Sequence, residues 1–308
     1  MSMSDRDGKI WRDGEMVDWR DAETHVLTHT LHYGAGVFEG VRAYDGTIGT
    51  AIFRLQDHTK RLLNSAKIIG MKVPFSAQQL NQAQIEVVQA NDMRYGYIRP
   101  MCFYGSEGMG LRAEALQVHC IVAAWEWGAY MGKEKLENGI KVKTSSFTRH
   151  HANATMCKAK VNGHYVNSML ALQDAAQDGY DEALMLDPQG FVAEGSGENV
   201  FIVRDGILYT PELSSALDGI TRQTIITIAK QMQIPVVEKQ ISRDEVYIAD
   251  EAFFTGTAAE VTPIRELDQR PIGNGSRGPI TEKLQATYFQ IVHGEVDQYK
   301  DWLSEAND

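Results

Sequence analysis

Cysteine is scarce in this chain of 308 residues, with three in all, at Cys102, Cys120 and Cys157. They are widely spaced, odd in number and form no Cys-x-x-Cys pair. A disulfide framework and a thiolate zinc site are therefore excluded, and a reducing compartment is expected. Long apolar runs are missing as well. Stretches such as Cys120 to Trp125 fall far short of the roughly 20 residues a membrane helix needs, so no membrane association is expected. The opening residues, Met1-Ser2-Met3-Ser4-Asp5-Arg6-Asp7, hold no apolar core of a secretory signal. These absences together predict a cytoplasmic protein. Basic runs are lacking, and the densest spot is only Arg149-His150-His151. With 30 Lys and Arg against 41 Asp and Glu, the formal charge is −11, which repels phosphate backbones and argues against a nucleic-acid partner. The nine histidines show no metal-ligand spacing, so no metal site is expected. HExxH, GxSxG and Walker A motifs are absent, and no GxGxxG is read on a strand-helix turn, which argues against metal hydrolysis, serine hydrolysis and nucleoside triphosphate chemistry. There is no internal repeat and no low-complexity segment.

What is present is an ordinary globular composition, 43% hydrophobic and 23% charged, with length enough for two domains. Asp13-Gly14 between short alternating runs predicts a hairpin, and Asp45-Gly46 predicts a second turn before Ala51-Ile52-Phe53. Leu62, Leu63, Ala66 and Ile69 share one face of a helix predicted over about 57–69. Residues 97–103 and 119–125 read as buried strands. The pattern breaks over 127–138, where Gly128, Gly132 and a charge cluster suggest a linker. Beyond it come an alternating strand over 140–145 and a helix over about 162–177. A hairpin turns at 187–190 and another at Asp205-Gly206. A helix starts near Gly219, and the strand Ala252-Phe253-Phe254 ends at Thr255-Gly256-Thr257. No βαβ rhythm is visible, so the expected class is α+β. The expected division is a small domain at 1–126, a linker at 127–138 and a large domain at 139–308.

Four segments carry candidate chemistry. Lys158-Ala159-Lys160 precedes a helix that holds Tyr165, and a desolvated lysine amine is a nucleophile. Taken alone, either lysine reads first as a surface residue at a helix start. Glu194-Gly195-Ser196-Gly197-Glu198-Asn199 sets two carboxylates among glycines that let backbone approach a ligand; it reads equally as a plain turn. Leu217-Asp218-Gly219-Ile220-Thr221-Arg222 opens a helix, where free N–H groups and the positive helix end suit a phosphate. An ordinary helix capped by Asp218 fits as well. Phe254-Thr255-Gly256-Thr257-Ala258-Ala259-Glu260 offers N–H groups and hydroxyls to an anion, or simply turns the chain. Jointly these supply an amine, a carboxylate, a phenol and two anion cradles, which is what pyridoxal 5′-phosphate requires.

At this point the sequence resembles a known family. The match runs over nearly the whole chain. It includes Leu31-His32-Tyr33-Gly34-Ala35-Gly36-Val37-Phe38-Glu39-Gly40-Val41-Arg42, Tyr97-Ile98-Arg99-Pro100, Gly108-Met109-Gly110-Leu111, Trp127-Gly128-Ala129-Tyr130, Glu194 to Asn199 and Gly256-Thr257-Ala258-Ala259-Glu260. The family is the class IV, fold-type IV aminotransferases, and within it the bacterial branched-chain amino acid aminotransferases. The resemblance implies a two-domain, D-amino acid aminotransferase-like α+β fold with the cofactor at the domain interface. It implies Lys160 as the Schiff-base lysine and proton shuttle, selected over Lys158 because Gly163 and Tyr165 follow at the family spacing. Glu194 would pair with the ring nitrogen and Tyr165 with the ring oxygen. Arg61, Gly219, Ile220, Thr221, Gly256 and Thr257 would hold the phosphate and its loops, with Glu198 and Asn199 beside them. Phe38, Gly40, Trp127, Met109, Leu111 and Tyr165 would wall the substrate pocket. Arg99, Tyr33 and Tyr130 would meet a γ-carboxylate, and Tyr97, Thr257 and Ala258 the α-carboxylate.

The implied reaction is ping-pong transamination between L-leucine, L-isoleucine or L-valine and 2-oxoglutarate, giving branched 2-oxo acids and L-glutamate. Tyr33, Met109 and Leu111 serve a neighbouring subunit in this family. A homodimer is therefore the minimum, and a hexamer stands as an open alternative. A D-amino acid or (R)-amine transaminase and an aminodeoxychorismate lyase share Lys160 and Glu194. They remain the same-fold rivals, with a non-catalytic anion-binding protein as the remote one.

Overall fold

The computed structural model describes residues 2–128 and 132–307, and the chain divides into two compact units. The first comprises Met1–Gly128, Ala159–His164 and Ile291–Asp308. The second comprises Ala129–Lys158 and Tyr165–Gln290. This differs from the expected contiguous division, which gave 159–164 and 291–308 to the large domain. Hydrogen bonding explains the difference. The C-terminal strand Leu303–Glu305 pairs antiparallel with Gly49–Phe53, and Val161 bridges to Val37.

The first unit holds β1 (Lys9–Arg12), β2 (Glu15–Asp18), β3 (Gly36–Phe38), β4 (Val41–Gly46), β5 (Gly49–Phe53), β6 (Gly96–Tyr104) and β7 (Val118–Trp125). Among the described residues, the C-terminal strand completes an eight-stranded sheet. The β1–β2 hairpin turns at Asp13 and Gly14, whose φ of 50° and 106° fit the left-handed turn their residue types favour. The second hairpin turns later than expected. Asp45-Gly46 stays in β4, Gly46 pairs with Gly49, and the turn falls on Thr47-Ile48. Thr47 is held there through its N–H to the His293 carbonyl and its hydroxyl to the Gly294 carbonyl.

Three helices accompany this sheet: α1 (His29–Tyr33), α2 (Leu55–Ile68) and α3 (Ala77–Ala90). The buried face of α2 mixes Leu55, Leu62 and Ala66 with His58, Thr59 and Ser65. The apolar members drive packing, each leucine contributing about 1.5–3 kcal/mol; the polar members matter for the site. No pattern in the sequence analysis predicted α3. Its apolar stripe, Leu80, Ala83, Val87 and Val88, is buried but diluted by glutamine and alanine. Its start is marked by a capping box, Ser76 with Gln79.

The second unit holds β8 (Ile140–Thr144), β9 (Glu182–Leu186), β10 (Val192–Gly195), β11 (Asn199–Arg204), β12 (Ile207–Thr210), β13 (Val236–Glu238), β14 (Glu251–Gly256), β15 (Glu260–Leu267) and β16 (Arg270–Pro271). They form one mixed sheet. β8 runs parallel to β9 and β15, and β12 parallel to β13. Its helices are α4 (Lys133–Asn138), α5 (Ala152–Thr155), α6 (Tyr165–Gln177), α7 (Ile220–Gln231), α8 (Arg243–Tyr247) and α9 (Pro279–Val292). The segment predicted as a linker thus contains α4. Phe201 on β11 and Phe253 on β14 stack in the core, with centroids 5.1 Å apart and planes at 10°. Among the described residues no helix is long and apolar enough to cross a membrane.

Candidate active site

In the first unit the site grows from β3 and the connection that follows it. Phe38 donates its N–H to the Lys160 carbonyl at 3.2 Å, and Lys160 donates its own N–H to Ser65 Oγ of α2 at 2.9 Å. These bonds place Lys160 in the first unit, although the contiguous division put it in the C-terminal half. Its Nζ lies 4.9 Å from the Phe38 ring centroid. The Arg99 guanidinium, from β6, lies 4.7 Å from the same centroid and 5.3 Å from that of Tyr97. The Tyr97 ring meets Trp127 edge-on at 4.9 Å. Gly40 must be glycine, because a Cβ there would sit 1.8 Å from Tyr97 Oη. Trp127 is anchored through its backbone by Arg42, whose Nη2 donates to the carbonyls of Trp127 and Gly128.

Arg61, on α2, makes a bidentate pair with Glu39 through Nε at 2.6 Å and Nη2 at 2.8 Å. His58 Nδ1 bonds the same carboxylate at 2.8 Å. Burial of Glu39 opposes its charge, but the Arg61 guanidinium and the two partners' hydrogen bonds outweigh burial and hold the carboxyl well below its usual range. Tyr33, Met109 and Leu111 are exposed, Leu111 at 90%. Tyr33 Oη accepts from Gly110 N–H at 3.2 Å, so the helix α1 end and the 108–111 loop form one surface feature. Tyr130 lies outside the described residues.

In the second unit, Glu194 lies on β10 and is buried. It accepts from Arg149 Nε at 2.8 Å, Leu217 N–H at 3.1 Å and Asn199 Nδ2 at 3.5 Å. Asn199 Nδ2 also donates to the Leu217 carbonyl at 2.9 Å, tying the segment before α7 to the carboxylate. Glu198 closes the β10–β11 turn: its carbonyl accepts from Gly195 N–H and its carboxylate from Gly197 N–H. α7 begins at Ile220 with Gly219, in extended backbone conformation, at its N-cap position. A Cβ at Gly219 would sit 1.9 Å from Asn199 Oδ1. Thr221 is buried at the helix start. Gly256, Thr257 and Ala258 form the half-buried turn from β14 to β15. Beside them, Thr255 Oγ1 is buried without a hydrogen-bond partner among the described residues. Tyr165 opens α6, after a 3-10 turn at Asn162–His164. Lys158, the rival lysine, directs Nζ to the carbonyls of Leu213 and Ala216. Burial pushes its ammonium pKa down, but those two acceptors make it a backbone tie.

Four residues escaped the sequence reading. Glu39 sat inside a quoted motif without a role. His58 and Ser65 sat on a helix read only for its apolar stripe. Arg149 was noticed only as part of a basic spot too small to matter. A buried position beside a charged partner was the missing signal, and spacing cannot supply it.

The family described as amino-transferase class IV matches residues 36–267. The chain belongs to the class IV aminotransferases. This class IV aminotransferase is 66% identical over 302 residues to the Pseudomonas aeruginosa branched-chain-amino-acid aminotransferase, covering 98% of each chain. It is 45% identical over 300 residues to the Escherichia coli K12 protein of the same name, covering 97% of each. A solved branched-chain amino acid aminotransferase from T.th., crystallised with pyridoxamine 5′-phosphate, superposes with a TM-score of 0.96 at 48% identity. The match covers 98% of this chain and 99% of that one.

The residues present fit pyridoxal 5′-phosphate. The start of α7, with Gly219 at its N-cap position, suits a phosphate. The unpartnered Thr255 hydroxyl adds a polar group at the adjacent turn. The donor set contains a lysine amine, a buried carboxylate and an arginine. Among the described residues no group of three or more His, Cys, Asp or Glu side chains is placed to hold a metal.

Proposed function

We propose that this aminotransferase moves the amino group of L-leucine, L-isoleucine or L-valine to 2-oxoglutarate, using pyridoxal 5′-phosphate in a ping-pong reaction. The observation that carries this reading is the Phe38 ring, with Lys160 Nζ at 4.9 Å and the Arg99 guanidinium at 4.7 Å. One apolar wall thereby adjoins both a nucleophilic amine and a fixed positive charge. That combination suits a pocket that takes a branched hydrocarbon in one half-reaction and a second carboxylate in the other. The 66% identity to a branched-chain enzyme over 98% of the chain supports the same reading.

When bound, pyridoxal 5′-phosphate supplies an electrophilic carbonyl and an electron-withdrawing ring that takes up the pair left at the substrate Cα. Lys160 would hold the cofactor and, in each half-reaction, would move the proton between the substrate Cα and the cofactor carbon C4′, as a general base and then an acid. Glu194, buried and held by Arg149 Nε, would pair with the ring nitrogen and stabilise its positive charge. Tyr165 bonds the ring oxygen. Arg61, Ile220, Thr221 and Thr257, with Gly219 and Gly256, hold the phosphate, and Glu198 and Asn199 support that loop. Phe38, Gly40, Trp127 and Tyr97 shape the pocket, Thr257 and Ala258 take the α-carboxylate, and Arg99 with Tyr130 takes the γ-carboxylate. A homodimer is the minimum active unit, because exposed Tyr33, Met109 and Leu111 serve a neighbouring subunit's pocket. The enzyme works in the cytoplasm.

The visible spectrum of the purified protein tests this. L-leucine and L-glutamate should each bleach the cofactor band, and D-alanine and an (R)-amine should not. Lys160→Ala should be colourless and Lys158→Ala coloured. Bleaching by D-alanine or the (R)-amine alone, or a colourless protein, would reject the assignment.

A further inference from the structure

Behind Arg61 lies a buried cluster to which no role has yet been given. Glu39 is 0% exposed and His58 2% exposed, while the Arg61 side chain retains 13%. His58 and Arg61 stand three residues apart on α2, and Glu39 stands on the connection between β3 and β4. The carboxylate is fixed from the strand side too, since Glu39 N–H donates to the Pro100 carbonyl at 2.9 Å. An ionised carboxylate only accepts hydrogen bonds, so His58 Nδ1 must carry the proton in its 2.8 Å contact. Burial lowers the His58 pKa, Arg61 and Lys160 push the same way, and the Glu39 carboxylate opposes them. The cluster is then one cation, one anion and a neutral donor, balanced without solvent.

A free arginine side chain samples many rotamers. A bidentate carboxylate fixes the guanidinium plane. We propose that Glu39, itself held by His58, is a positioning residue that sets the orientation of Arg61 for the cofactor phosphate. The inference rests on the reading of Arg61 as a phosphate ligand. It makes Glu39 and His58 determinants of affinity for the phosphorylated cofactor, although neither is assigned a contact with it. A salt bridge that served folding alone would affect all ligands alike.

Equilibrium dialysis of the full-length protein against pyridoxal 5′-phosphate, and separately against phosphate-free pyridoxal, separates these cases. Glu39→Gln should weaken pyridoxal 5′-phosphate by about tenfold or more, as loss of an outer orienting partner does at other sites, and leave pyridoxal within about twofold. His58→Asn, whose amide can reproduce the Nδ1 donor, should keep the preference for the phosphorylated form; His58→Leu should lose it. Should Glu39→Gln fail to fold, the two His58 variants carry the same comparison. A Glu39→Gln protein that weakens both ligands equally, or neither, overturns the inference. A wild-type protein with no preference for the phosphorylated form removes the premise about Arg61 and overturns it by that route.

Discussion

Glu39 stays ionised in full burial because Arg61 and His58 meet its oxygens. Its folded pKa lies below the ordinary value of 4.5. The stability it contributes is therefore present above that value and lost as pH falls through the folded pKa. Removing one partner of such a pair leaves a charge poorly matched, so Glu39→Gln should unfold about 3 kcal/mol more easily at neutral pH. The gap should hold down to roughly pH 5 and narrow in stronger acid, because only the wild type loses this contribution there. His58, with its lowered pKa, adds acid sensitivity of the same sign to the wild type. Urea denaturation across pH measures the gap, and a gap that widens in acid would contradict the argument. At this scale the sequence singled out candidates where motifs are rigid. Lys160, Glu194 and Arg61 stand in the environments just described, each with named partners. Arg149 was illegible because its meaning depends on Glu194, 45 positions away.

Elements that follow local chemistry were readable. Asp13-Gly14 and Asp205-Gly206 both adopt positive φ and turn their hairpins where their residue types predict. Asp45-Gly46 has the same composition, yet contacts from His293 and Gly294 move that turn by two residues. A segment some 250 residues distant cannot be read from a dipeptide. The start of α7 is a third case. The sequence placed the helix correctly and offered Asp218 as its N-cap, and the structure puts Gly219 at the N-cap position. There Gly219 lets Asn199 approach, and Asn199 in turn braces Leu217 and Glu194. A methyl group would force Asn199 aside. Gly219→Ala should therefore cost about 1–3 kcal/mol of stability and weaken pyridoxal 5′-phosphate binding in the same preparation. Denaturation midpoints paired with cofactor titration check both effects, and an unchanged cofactor affinity would contradict the cradle.

Over the whole molecule, the charge of −11 and a set of anionic ligands look opposed. Net charge governs solubility, and under the proposed reading attraction for these anions is local, supplied by arginines and helix N–H groups. The α+β class was legible from the mixed, non-alternating elements. The composition of the two units was not, because Leu303–Glu305 and Ala159–His164 join the first unit through strand pairing and backbone bonds made far along the chain. The central claim is amino-group transfer from a branched L-amino acid to the protein-bound cofactor, with release of the first product before the second substrate enters. Mixing the cofactor-loaded protein with L-leucine alone and measuring the 2-oxo acid released tests it most directly. The account predicts a single equivalent per subunit, no ammonia, and renewed release only after 2-oxoglutarate is added. Continued turnover with ammonia, or no 2-oxo acid at all, would contradict it.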